Sequence, residues 1–224
     1  MVNYLEVDLS VSGRDVRPLF ARGSCQKLNQ LSRRSLPIAG INGGYAAGLC
    51  RSVSLVKTGG NLLVTNARSR GSFAIIDGSP VISRIAAGMG WPSAQNALGG
   101  GPILAMESQP TNSEQWHREG LSNPAFLGPN PRTRVGYARK KVYLGTVDGR
   151  RPTALGFSMS QLAQYVTDLG LESALNLDGG GSTTLWIRGK PNDGIINYPS
   201  GGGTNENSSR PGIRPVRSGI FVFP

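Results

Sequence analysis

The chain has 224 residues, 38% of them apolar, which is enough to bury a sizeable core within one domain. Its 32 glycines and 15 prolines stay below the content of disordered chains and fit a β-rich fold with many loops. The formal net charge of +11 makes the protein strongly basic. No apolar run approaches the roughly 18 residues of a membrane-spanning helix.

Short apolar or alternating segments, bounded by glycine, asparagine or proline, predict a series of β-strands. The turn "TGG" predicts one hairpin, and "DGSP" predicts a second. In chain order the predicted strands are 4–9, 36–41, 52–57, 61–65, 72–78, 80–85, 141–147, 173–177, 183–189 and 217–223.

The clearest predicted helix covers residues 159–169, with one apolar face. Ser158 can cap its first turn together with Gln161, and Gly170 is placed to end it. A shorter helix is expected within 112–121. Many short strands with one or two helices favour an α+β fold built on mixed β-sheets.

We predict that the whole chain, 1–224, forms a single domain, because no repeat or linker divides it. The one low-complexity stretch, "SGGGTNENSS" at 200–209, is typical of a mobile loop.

The positive charge is carried by 19 arginines and 5 lysines, which indicates an anionic partner. A planar guanidinium can make two parallel hydrogen bonds to a phosphate, so a phosphorylated substrate fits this composition. The basic residues are scattered along the chain, however, and form no single block. This pattern argues against bulk nucleic-acid binding and favours a solvated basic surface.

Cys25 and Cys50 allow one disulfide or two buried free thiols, and the sequence leaves both readings open. With one histidine, His117, and no C-x-x-C motif, a common zinc site is not expected, nor is any cofactor. The first ten residues look like a strand rather than a signal peptide. The chain is therefore cytoplasmic or, if a signal peptide has been removed, secreted or periplasmic.

The run "LNLDGGGSTTL" at 175–185 places Asp178 after an apolar strand and before three glycines. Successive glycines can point several N–H groups inward and form a nest for an anion. A carboxylate beside such a nest would suit a sugar phosphate. The alternative is a glycine-rich hairpin in which the aspartate caps its own turn.

This run and the capped helix before it resemble the signature of the phosphodiester glycosidase family. Six further motifs resemble that family in the same order, and together they extend the resemblance from about residue 4 to the C-terminus. They are "AGINGGYAAG" (39–48), "NALGGGPIL" (96–104), "NPRTRVGYA" (130–138), "LGTVDGR" (144–150), "IINYPSGG" (195–202) and "RPGIRPVRSGIFVF" (210–223).

The resemblance implies hydrolysis of the C1–O bond of a sugar-1-phosphodiester, such as an N-acetylglucosamine-1-phosphodiester, to a sugar and a phosphomonoester. A carboxylate near C1 would stabilise the oxocarbenium-like transition state or attack it, and Asp178 is the candidate. The leaving phosphate is already acidic, with a second pKa of about 6, so arginine can replace a general acid. Arg132 is the first candidate for gripping it and Arg214 the second.

Asp148 is the second carboxylate implied by the family, as a base for water or a binder of sugar hydroxyls. The other residues implied to bind substrate surround these candidates. They are Asn42, Gly43, Gly44, Gly100, Gly101, Thr133, Asn176, Gly179, Gly180, Gly181, Ser182, Thr183, Asn197 and Ser200.

Two departures from the family pattern concern the pocket. Ile213 stands where an acidic residue often precedes the closing arginine, and Tyr45-Ala46 stands where many members carry two phenylalanines. His117 lies in a variable polar stretch and is expected at the surface.

Two other readings of the sequence remain beside the hydrolase. One is a non-catalytic module that binds an anionic glycan or another polyanion, and the other is a nucleic-acid-associated protein that uses the net charge. The intact Asp178, Asp148 and Arg132 favour the hydrolase, whose partner would be a sugar phosphate or a phosphoglycan.

Overall fold

The structure, a computed structural model, describes residues 1–201 and 212–224, and most of the loop predicted at 200–209 lies outside these residues. The predicted mostly-β architecture with a few helices is confirmed. The strands are β1 Val2–Asp8, β2 Asp15–Phe20, β3 Ala39–Asn42, β4 Ala46–Ala47, β5 Arg51–Ser52, β6 Val56–Thr58, β7 Asn61–Val64, β8 Arg70–Ile76, β9 Ser79–Ile85, β10 Asn96–Gly99, β11 Ile103–Met106, β12 Gln109–Pro110, β13 Arg132–Ala138, β14 Lys141–Val147, β15 Ser173–Asn176, β16 Leu185–Ile187 and β17 Ser218–Phe223.

Among the described residues, four helices pack around the sheets: α1 Leu28–Leu31, α2 Ser113–Arg118, α3 Pro124–Leu127 and α4 Met159–Asp168. The α4 prediction is confirmed, including its start. The Ser158 hydroxyl accepts a hydrogen bond from the Gln161 amide, and the Gln161 side chain accepts one from the Ser158 amide. Three-residue 3-10 turns lie at Ser32–Arg34, Gly180–Ser182 and Asn192–Gly194.

Every strand pairing among residues 1–201 and 212–224 is antiparallel. The strands form a six-stranded sheet (β1-β14-β13-β15-β11-β12), a five-stranded sheet (β7-β6-β10-β8-β9), a four-stranded sheet (β16-β3-β17-β2) and the pair β4-β5. No helix within the described part of the chain is long and apolar enough to span a membrane.

Two long strands, β2 and β13, were not predicted. Pro18 interrupts the pattern of β2, and this residue is tolerated there because β2 is an edge strand of its sheet. Arg132 and Arg134 hide the apolar pattern of β13, although both side chains are buried. The strand therefore reads as polar while it occupies the centre of the six-stranded sheet.

Three sheets converge where β3, β10 and β15 end. Glycine is required at this seam because a Cβ on Gly44 would lie 2.3 Å from the Gly99 carbonyl oxygen, and one on Gly100 would lie 2.4 Å from the Asn176 carbonyl oxygen. The glycines of two predicted site motifs thus allow the sheets to approach each other. The seam brings Asn42, at the end of β3, next to the segment that follows β15.

Candidate functional site

Asp178 lies two residues beyond β15, at the junction of two chambers. The first, here called the disulfide chamber, has a volume of about 210 Å³ and is lined by Cys25, Cys50, Asn42–Gly44 and Arg217 among others. The second, the aromatic chamber, has about 390 Å³ and is lined by Tyr45, Phe126, Arg132, Arg150 and Gly179–Gly181 among others. Asp178 and Arg214 line both chambers. A larger cavity of about 630 Å³ lies elsewhere, between β2 and β7, and its lining within the described part of the chain contains no carboxylate.

The backbone around Asp178 is fixed by Asn42, which is fully buried. Its Nδ2 donates to the Asp178 carbonyl oxygen at 2.6 Å, and its Oδ1 accepts from the Thr133 hydroxyl at 2.7 Å and the Thr184 amide at 3.0 Å. The Asp178 amide in turn donates to the Gly43 carbonyl oxygen at 3.0 Å. Asn42 and Thr133 therefore position Asp178, and Asn42 also lines the disulfide chamber.

Burial raises the pKa of the Asp178 carboxyl group to about 6. The Ser182 hydroxyl, the Gly179 amide and the Arg214 and Arg150 guanidinium groups favour the ionised form, but they offset this desolvation only in part. A carboxyl group with a pKa of about 6 beside two cations is typical of a reacting group.

The three glycines after Asp178 do not form the predicted open nest. The Gly180 amide donates to the Pro131 carbonyl oxygen, the Ser182 amide to that of Gly179, and the Thr183 amide to that of Gly180. The Ser182 and Thr183 amides are thus hydrogen-bonded within a 3-10 turn, and the Gly180 amide is hydrogen-bonded to Pro131, just before β13. The prediction of an open nest is wrong for these three amides, because Pro131 and the run's own Gly179 and Gly180 carbonyl groups accept their hydrogen bonds.

Two glycines instead make room for two guanidinium groups. A Cβ on Gly180 would lie 2.7 Å from Arg150 Nη2, and one on Gly181 would lie 2.7 Å from Arg214 Nη2. Both cations therefore lie flat on the turn beside Asp178. Arg150 was not among the site residues predicted from the sequence. It follows Asp148-Gly149 and has a backbone φ of 58°. Only its contact with Gly180 shows that it belongs to the site.

Arg132, the first candidate for binding phosphate, is 2% exposed and is committed to the backbone. Its Nε donates to the Phe157 carbonyl oxygen at 2.9 Å, and its Nη2 donates to those of Phe126 and Gly128 at 2.8 and 2.6 Å. Burial lowers its pKa to about 10. Arg132 forms part of the wall of the aromatic chamber and anchors α3 there.

Asp148, the second predicted carboxylate, is 2% exposed and lines neither chamber. Its Oδ1 accepts a hydrogen bond from the Tyr198 amide at 2.9 Å, which fixes the segment that leads to Ser200. This contact is that of a positioning residue.

The other predicted residues lie behind the chamber walls. Asn176 Nδ2 donates to the Tyr45 hydroxyl at 2.8 Å and to the Gly101 carbonyl oxygen at 2.9 Å, which fixes the aromatic ring of Tyr45. Asn197 Oδ1 accepts a hydrogen bond from the Leu185 amide, and its Nδ2 donates one to the Thr183 carbonyl oxygen. The Ser200 hydroxyl donates to the Gly180 carbonyl oxygen at 3.3 Å. The remaining two, Gly100 and Thr183, are buried and line neither chamber.

A disulfide joins Cys25 to Cys50, which resolves the alternative left open by the sequence. The Cys50 end closes the loop that follows Gly44. The Cys25 end adjoins Gln26, whose backbone pairs with Val216 in both directions at 3.0 and 2.8 Å. The disulfide thus ties the two sides of its chamber together. His117 lies exposed on α2, as predicted.

The chain is also similar to known proteins. The family model described as "Phosphodiester glycosidase" matches residues 36–223. The N-acetylglucosamine-1-phosphodiester alpha-N-acetylglucosaminidases of Bos taurus and Homo sapiens are 33% and 30% identical over 101 residues, which is 45% of this chain. The matched stretch is only 18% and 19% of the length of those relatives.

Among solved structures, the fold is similar to the auto-inhibited catalytic domain of the zebrafish N-acetylglucosamine-1-phosphodiester alpha-N-acetylglucosaminidase. The TM-score is 0.79 at 18% identity, over 100% of this chain and 83% of that chain. A hypothetical protein from Synechocystis gives a TM-score of 0.75 at 16% identity, over 99% and 58% of the two chains. Because the family model covers most of its length, the chain belongs to the phosphodiester glycosidase family.

Proposed function

We propose that this protein hydrolyses the C1–O bond of a sugar-1-phosphodiester of the N-acetylglucosamine-1-phosphodiester type, releasing the sugar and a phosphomonoester. One observation carries the proposal: Asp178 lies where two chambers meet, flanked by the Arg150 and Arg214 guanidinium groups that lie on Gly180 and Gly181. We further propose that residues 1–224 form one catalytic domain.

The roles follow from charge. Positive charge develops at C1 in the oxocarbenium-like transition state, and the Asp178 carboxylate stabilises it or attacks C1. Negative charge develops on the departing phosphate, and Arg150 and Arg214 are preorganised to receive it. The C1–O electron pair leaves with the phosphate, water supplies the hydroxyl group of the sugar, and one proton is released. Arg132 and Asp148 act as positioning residues in this scheme.

The test is hydrolysis of methyl (N-acetyl-α-glucosaminyl 1-phosphate) in water enriched in oxygen-18. We expect free N-acetylglucosamine and methyl phosphate that carries no label, because cleavage at C1 leaves the bridging oxygen on phosphorus. Label in methyl phosphate would indicate attack at phosphorus and contradict the proposal. The matched control is Asp178→Asn, which removes the charge without changing the size of the side chain.

The raised pKa of Asp178 predicts the pH dependence of this activity. The carboxylate is the reactive form, so kcat/KM is expected to fall about tenfold per pH unit below about pH 6 and to level off above it. Initial rates measured at low substrate concentration across this range check the prediction. A rate that stays constant down to about pH 5 would remove Asp178 from the reacting groups.

The net charge of +11 favours a second candidate, a non-catalytic module for an anionic glycan or another polyanion. Such a module would bind the substrate and release no sugar from it. The same assay separates the two functions when it is combined with a measurement of binding.

A further inference from the structure

Four arginine side chains, here called the arginine row, lie in or next to the two chambers. Arg150 lines the aromatic chamber, Arg214 lines both, and Arg151 follows Arg150 in the chain just outside them. Arg150 and Arg214 lie on the consecutive residues Gly180 and Gly181. Arg217 lines the disulfide chamber together with Arg214. Arg151 lies over Tyr198, in the segment that Ser200 connects to Gly180.

The row is held by stacking rather than by carboxylates. The Arg151 guanidinium carbon lies 3.9 Å from the centre of the Tyr198 ring, and that of Arg217 lies 4.5 Å from the centre of the Phe20 ring. The two central members rest on glycine backbone. Arg217 Nη1 also donates to the Gly23 carbonyl oxygen, and Arg150 Nη2 donates to Asn130 Oδ1 at 3.4 Å. Arg217 Nε is buried and has no partner among the described residues. The N–H groups that these contacts and the stacking leave over are available to a phosphate.

No member of the row takes part in a salt bridge within the described part of the chain, where the salt bridges involve Arg17, Arg84, Arg118 and Lys141. Asp178 is the one carboxylate that lines either chamber among residues 1–201 and 212–224. The row therefore carries a clear excess of positive charge at the point where the substrate would bind.

This excess does not match a substrate with one phosphodiester. A diester carries a single negative charge, and the two central arginines already supply the bidentate contacts that one phosphate takes. Arg151 and Arg217 lie to either side of these two. Their positions suit further anionic groups of the same ligand, on either side of the first phosphate.

Resting on the proposed function, we infer that the substrate is an oligomeric phosphoglycan, a chain of sugars joined by 1-phosphodiesters. The scissile diester lies at Arg150 and Arg214, and the phosphates of the neighbouring repeats bind Arg151 and Arg217. The row thereby selects chains over small diesters by charge, without any additional contact to the sugar.

The experiment compares two substrates, the methyl diester and a short oligomer of N-acetylglucosamine 1-phosphate, by steady-state kinetics at low salt. We expect the KM for the oligomer to be at least about tenfold lower, the effect of one charge-assisted contact to a flanking phosphate. The preference should vanish in about 1 M salt, where the screening length falls to about 3 Å.

Arg151→Gln is expected to raise the KM for the oligomer several times more than the KM for the methyl diester, and Arg151→Lys to restore most of the preference. Arg139→Gln is the matched control, because it removes the same charge from the β13–β14 turn, at the opposite end of β13 from Arg132 and the aromatic chamber. Thermal unfolding of each variant separates loss of binding from loss of fold.

Equal KM values for the two substrates would overturn the inference and leave the proposed function intact. Hydrolysis of neither substrate would overturn the proposed function. A single-stranded oligonucleotide of equal charge that competes as well as the oligomer would overturn the assignment to a phosphoglycan, because the row would then bind any polyanion.

Discussion

Asp178→Asn is expected to lower kcat for sugar release by at least about a thousandfold, the scale on which losing a reacting group acts. The amide keeps the size of the side chain but cannot stabilise positive charge at C1. The measurement is the initial rate with the methyl diester at about pH 7, with binding of the intact substrate followed in parallel. Retained binding with lost turnover identifies a reacting group, whereas unchanged turnover would exclude Asp178.

The same substitution is expected to leave the fold as stable as before or more stable. The pKa of the Asp178 carboxyl group is about 6 in the folded state against an ordinary value of 3.8, so the folded state holds this proton more tightly. As pH rises between these two values the unfolded chain ionises first, and the free energy of unfolding decreases. The asparagine variant does not lose this free energy of unfolding, because its side chain does not ionise. In denaturant titrations its free energy of unfolding should exceed that of the wild type increasingly between pH 3.8 and about 6, and should stay higher above that range.

Arg214→Met is expected to reduce kcat/KM by about a hundredfold to a thousandfold, as found for removal of one preorganised group that stabilises developing negative charge. Arg214 lines both chambers and lies beside Asp178, so no other described side chain of the row has an equivalent position. Arg214→Lys should lose less, since it keeps the charge but not the planar, bidentate geometry.

Gly181→Ala offers a positional control for this prediction. Its new methyl group would lie 2.7 Å from Arg214 Nη2, and its nearest contacts are all guanidinium atoms at the end of a flexible side chain. The chain should fold with Arg214 displaced, and its kinetics should approach those of Arg214→Met although every charge is kept. Full activity in the alanine variant would show that the contact between the Arg214 guanidinium group and Gly181 is not needed for catalysis.

The sequence predicted those features whose causes are local. The α4 boundaries follow from the Ser158–Gln161 capping pair, and Asp178 follows a strand whose apolar run is continuous. The use of the glycines could not be predicted, because it depends on distant groups. The Pro131 carbonyl oxygen takes the Gly180 amide, and Arg150 and Arg214 occupy the space that the glycines leave.

Dependence on distant groups also explains why the structure gives the charged residues other roles than those predicted. Arg132 and Asp148 stand in family-like motifs, and the motifs reveal residue type but not partners. Only the folded chain shows that three carbonyl oxygens surround Arg132 and that the Tyr198 amide binds Asp148. Arg150 ends the same motif as Asp148, and only the folded chain shows that its guanidinium group lies against Gly180, beside Asp178.

Folding alone does not join the two sides of the disulfide chamber covalently, because the Cys25–Cys50 bond also requires oxidation of the two thiols. The main apolar clusters lie within and between the sheets and include neither cysteine, so a chain with reduced thiols can keep its sheets. Its loop after Gly44 would then be free of the segment that pairs with Val216. The covalent link between the two sides of the disulfide chamber therefore depends on an oxidising environment, in which disulfides form and persist.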